Sequence, residues 1–111
     1  MVKEAHSLLE PIGQNMKTTA IGSNNAGKLF IASSVKIVPT PQQTWAAANQ
    51  INVVNGLEHA EATLINSGNN ITYVDASRPI CLDCENLMTQ NGVTTSTPKS
   101  GKPSRNSGGC N

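Results

Sequence analysis

Three residues of the kinds that hold transition metals stand at set intervals in the middle of the chain: His59, then Cys81 and Cys84 behind Pro79. A fold that uses them together must bring two distant segments to one point. One imidazole and two thiols suit zinc, and three protein donors leave the fourth tetrahedral position for water, the pattern of a catalytic rather than a structural site. Glu61, just past His59, is placed to move protons beside such an ion. Cys81 and Cys84 at i and i+3 share one helix face, and in a first turn the unbonded amides favour thiolates. His59 and Glu61 at i and i+2 would diverge by about 200° inside a helix, so they can serve one ion only where a helix begins.

The 111 residues, 37% of them hydrophobic, suffice for one small domain. Three cysteines, two of them in a Cys-x-x-Cys pair, do not make a disulfide framework. A net charge of +1 gives no bulk electrostatic reason to grip a nucleic acid, and stacking duty would fall on Phe30, Trp45 or Tyr73 alone. Residues 1–13 lack the apolar core of a secretory signal, and no run approaches membrane-spanning length, so the expectation is a chain that works in water with no membrane partner.

Val2, Ala5, Leu8 and Leu9 recur at helical spacing, predicting a helix over residues 2–10 that stops at Pro11 and Gly13. Residues 18–21 and 28–32 are β-prone on either side of a polar loop bounded by Gly22 and Gly27, which predicts a hairpin. Thr40 and Pro41 look like an N-cap and first helical residue, with a helix over 42–50. Trp45, in its middle, covers the edge of the core or stacks on a substrate base. Strands are expected at 51–54, 71–74 and 93–97, and helices at 57–65 and 81–90. If the helices at 57–65 and 81–90 lie on one sheet face through right-handed crossovers, their N-termini converge. The domain is expected to span 1–97, followed by a mildly basic Gly/Ser-rich tail, 98–111, mobile unless a ligand or partner orders it. In that tail Lys99, Lys102 and Arg105 could follow a phosphate backbone.

His59-x-Glu61, followed by a proline and Cys81-x-x-Cys84, resembles the zinc-dependent deaminases of the cytidine deaminase-like superfamily. The resemblance runs over about residues 18–97. Within that superfamily the chain is similar to the toxin domains of bacterial polymorphic toxins. The resemblance implies an α/β, three-layer fold with a mixed sheet of four to five strands flanked by helices. It implies Zn2+ on His59, Cys81 and Cys84, with Glu61 carrying a proton from an activated water to the ring nitrogen and then to the departing amine. Attack would fall on C4 of cytosine or, less commonly, C6 of adenine. Ala60, through its backbone, and backbone groups near Ser77 and Arg78 would meet the base. The loop at 23–27 and the pair Ser33 and Ser34 stand where relatives contact substrate, or are simply turn residues. The implied partners are a DNA, RNA or nucleotide substrate and a cognate immunity protein. The implied setting is a secreted bacterial effector domain acting in the cytoplasm of a target cell. The usual motif has proline directly before the first cysteine; here Ile80 intervenes, which bears on the pocket floor and not on the ligand set.

Two other readings compete. Cys110 could close a structural Cys3His zinc site, making the chain a non-catalytic binding module in which Glu61 is an ordinary solvated carboxylate. Cys81-x-x-Cys84 alone could be a thiol-disulfide redox pair, which leaves His59 and Glu61 without a role.

Overall fold

Alternation along two neighbouring strands sets the layers. The computed structural model describes residues 1–103. Strands β1 (Thr19–Asn24) and β2 (Leu29–Ser33) pair antiparallel, from Thr19 opposite Ser33 to Ser23 opposite Leu29. Ala20, Phe30 and Ala32 join one core cluster, and Ile21 and Ile31 join another, so each sheet face carries its own core. The hairpin turns at Asn24, whose side-chain oxygen accepts from the amides of Ala26 and Lys28 at 3.0 and 2.9 Å, while Gly27 takes the left-handed conformation at φ 81°. β1 runs past its predicted end because Gly22 admits the next strand closely. A Cβ there would lie 3.0 Å from the Tyr73 carbonyl oxygen.

The sheet has the order β3-β2-β1-β4, with β3 (Ile51–Val53) parallel to β2 and β4 (Ile71–Ala76) antiparallel to β1. It is therefore mixed. Helices α4 (Ala60–Ile65) and α5 (Leu82–Asn91) cover the face of Ala20 and Phe30, adding Ala62, Leu64, Cys84 and Met88 to that core. Helices α1 (Val2–Ser7) and α3 (Thr40–Ala48) cover the opposite face through Ala5 and Ala46. The expected three-layer α/β architecture is present.

Three expectations change. The chain does not stop at Pro11 but starts a second short helix, α2 (Pro11–Met16), with proline in its first turn, where a missing N–H costs nothing. Residues 93–97 do not form a fifth strand; Thr94 makes a single parallel bridge to Tyr73. The segment instead turns its polar groups onto Asp75, whose Oδ1 accepts from the Thr95, Ser96 and Thr97 hydroxyls and the Ser96 amide. Part of the expected tail is held in place. Residues 98–102 run beside 80–82, with Ile80 N–H donating to Pro98, Ser100 N–H to Ile80 and Leu82 N–H to Lys102, all at 2.8 Å. Arg105 and Cys110 lie outside the described residues. No helix among the described residues is long and apolar enough to cross a membrane.

Candidate metal centre

The chain between β3 and α4 is fixed at three points before it reaches His59. The Val54 amide donates to the Ile31 carbonyl at 2.9 Å, the Asn55 side chain accepts from the Val38 amide at 2.9 Å, and Gly56 lies against Thr63. A Cβ at Gly56 would come within 2.8 Å of the Thr63 methyl, so the residue must be glycine for the loop to close this tightly. His59 is then the N-cap of α4, with extended backbone at φ −54° and ψ 150°, and Glu61 falls in the first turn. This is the one setting in which an i, i+2 pair can face a common point.

The second segment arrives from β4. Ser77, Arg78 and Pro79 break the strand, fully buried Ile80 anchors the corner, and Cys81 is the N-cap of α5 at φ −71° and ψ 162°. Cys84 follows in the first turn and is fully buried. α5 ends where Gly92 takes the left-handed conformation at φ 67°.

The two helix starts meet. His59 Nδ1 lies 3.9 Å from Cys81 Sγ and 3.8 Å from Cys84 Sγ, and the three donor atoms all fall within 4.8 Å of one another. A tetrahedral zinc with bonds of about 2.3 Å to sulfur and about 2.0–2.1 Å to nitrogen separates its N and S ligands by about 3.6 Å. The spacing suits such an ion once Cys84, which is disulfide-bonded in this structure, is reduced to a thiol. Glu61 is 4% exposed, and its Oε1 has no hydrogen-bond partner among the described residues. A buried carboxylate oxygen left bare is costly, which is understandable where it faces a site that receives an ion, a water or a substrate.

Electrostatics prepare some of these groups and not others. Burial lowers the His59 pKa, with Asp83 opposing, so near neutral pH the ring is neutral and able to donate a lone pair. Burial raises the Glu61 pKa, opposed by its own backbone amide and by the positive charge of Arg78. Cys81 departs from expectation. Its thiol is pushed up, chiefly by burial, with Glu61 and Asp83 adding to the effect, although the amides of Cys84 and Asp83 pull the other way. The helix start does supply favourable amides, but desolvation and two carboxylates outweigh them.

The structure distributes the remaining candidates. Ala60 is the fully buried first residue of α4. Ser33, the last residue of β2, and Ser34, just past it, accept from the amides of Val35 and Thr18 respectively. Ser77 likewise accepts from the Thr19 amide at 2.9 Å. The Arg78 side chain donates to the Asn15 carbonyl while its charge acts on Glu61. Trp45 is not brought to the trio; it packs on the opposite sheet face, its indole N–H donating to Glu4 at 3.3 Å. His6 joins α1 to β1 and α2 through Thr19 and the Gln14 carbonyl. Sequence reasoning passed over Asp83, which acts on both His59 and Cys81; an acid between the two thiols was its visible signal. Comparisons with family models, curated proteins and solved structures found no match to this chain.

Proposed function

We propose that the chain is a zinc-dependent hydrolytic deaminase of a nucleobase, with His59, Cys81 and Cys84 holding the ion and Glu61 moving protons. The observation that carries this reading is the bare, buried Glu61 Oε1 in the same turn as His59, beside three donors spaced for one tetrahedral ion. Zinc held there supplies Lewis acidity, lowering the pKa of water to about 7 and making it nucleophilic. A raised Glu61 pKa suits a group that must accept a proton from water and release it again. Glu61 passes that proton to the ring nitrogen beside the attacked carbon and then assists the departing amine. The net change adds one water to the C–NH2 carbon, expels ammonia and leaves a carbonyl. Glu61, Cys84 and Ile80 are buried while His59 and Cys81 are half-buried, which leaves the centre a side from which water and a base can approach. Cytosine is favoured over adenine, and a bacterial toxin domain with a cognate immunity protein is the biological setting, both on the strength of the motif resemblance.

The test is ammonia release and base conversion, read by sequencing, across single-stranded DNA, duplex DNA, RNA and free nucleotides. Conversion by zinc-loaded wild type and not by Glu61→Ala is the expected result. Conversion by neither, from protein holding one zinc per chain, overturns the reading and leaves a closed structural site in a binding module.

A further inference from the structure

The corner that carries Arg78 has a second side. Arg78 and Pro79 also line a cavity of about 770 Å³ between the β1–β4 half of the sheet, the start of α1 and residues 96–98. That volume is in the range of about 300–1,000 Å³ that holds small ligands. Its floor is apolar, from Val2, Ile21 and Leu29, and its rim offers the hydroxyls of Tyr73 and Ser96 and two cations, Lys3 and Arg78. Asp75, on the same wall, accepts from the Tyr73 hydroxyl with one oxygen and from residues 95–97 with the other. It therefore orients hydroxyls and is not an open cation site. Arg78 has five N–H donors, of which the Asn15 carbonyl uses part, leaving others for an anion.

An apolar floor, a hydroxyl rim and two lining cations match a ligand with a flat ring, a polyhydroxylated linker and a phosphate. We propose that this cavity binds a nucleotide unit, with its ring on the apolar floor and its phosphate on Arg78 and Lys3. The floor residues Val2, Ile21 and Leu29 belong to the sheet face opposite α4 and α5, so the unit meets the metal-centre side only at the corner of Arg78 and Pro79. A substrate that uses both sites is then a strand, with one unit in the cavity and a neighbouring base reaching past that corner to the proposed deaminase centre. This last step rests on the deaminase reading; the cavity's own chemistry does not.

Thymidine separates the two, since it has no exocyclic amine to lose. Zinc-loaded full-length protein is titrated with thymidine, thymidine 5′-monophosphate, inorganic phosphate and a thymidine dinucleotide, followed by amide chemical shifts and calorimetry. The expected result is shifts at Lys3, Tyr73, Arg78 and Ser96, with the monophosphate or dinucleotide bound at least tenfold more tightly than thymidine. Arg78→Gln and Lys3→Gln should each erode that preference, and Arg78→Lys should retain more of it than Arg78→Gln. A dinucleotide that outbinds the monophosphate supports the strand, and the reverse order overturns the link between the cavity and the metal centre. Equal affinity for thymidine and its monophosphate, no binding of either, or a preference that survives both glutamine variants in folded, zinc-retaining protein overturns the proposal. Phosphate-dependent binding without base conversion of any substrate would sink the deaminase reading and leave the cavity assignment standing.

Discussion

Glu61 carries two opposed demands, and both can be measured. As a proton carrier it should be indispensable: Glu61→Gln should lower turnover by about 10²–10⁴-fold with zinc content unchanged. As a buried acid it should cost stability. Its pKa is raised in the fold, so the neutral form is favoured, and stability is complete below the unfolded value of 4.5 and is lost as pH rises through the higher folded value. In metal-free protein, Glu61→Gln should therefore melt higher than wild type near pH 7, and the gap should close in acid. A lower melting point for the variant at neutral pH would contradict the burial argument. Cys81 gives the complementary prediction. Because its thiol is held protonated, zinc must displace a proton, so zinc affinity measured by chelator competition should rise with pH and each ion bound should release protons. A pH-independent affinity would mean that the thiolate is already formed.

At the scale of elements, the metal centre depends on the loop that delivers His59 as much as on the ligands. Gly56→Ala should cost about 1–3 kcal/mol by forcing the added methyl against Thr63, and should weaken zinc binding by displacing the start of α4. Adding Thr63→Ala removes the opposing methyl and hydroxyl and should recover zinc affinity. If the single change leaves both quantities untouched, the loop is not what positions His59. The convergence of α4 and α5 was legible in the sequence because metal spacing, turn residues and strand alternation agreed on it. The cap positions of His59 and Cys81 followed from the same constraint. Other features were not legible. Pro11 and Gly13 read as a stop because proline is destabilising inside a helix but not in its first turn, and α2 was missed for that reason. Residues 93–97 are rich in threonine, yet Asp75 draws the hydroxyls of Thr95, Ser96 and Thr97 out of a ladder, a tertiary competition that local propensity does not see. Hydrogen bonds from Ser96, Tyr73 and Thr97 outweigh the desolvation of Asp75 and hold its carboxyl below the usual range. This contribution is present above the unfolded pKa and lost as pH falls through the folded one. Asp75→Asn should thus destabilise at neutral pH by more than it does in acid, read by melts at both.

For the whole molecule, one ion would tie the start of α4 to the start of α5, two helices that also pack into one core. α4 crosses one face of the sheet and α5 lies beside it, and the 98–102 segment secures the corner at Ile80 and Leu82. A ligand that binds only the folded chain stabilises it by mass action, so chelation should lower the melting point, and hydrogen exchange should quicken first at the starts of α4 and α5. The central claim is a zinc held by one nitrogen and two sulfurs with a remaining position for water. X-ray absorption at the zinc edge of the loaded protein, with thiols counted on the same sample, tests it most directly. The account predicts two sulfur and two lighter ligands around one zinc per chain. Three sulfurs would bring in Cys110 and close the site, and a zinc-free protein with Cys84 oxidised to a disulfide would remove the metal centre altogether; either result contradicts the account.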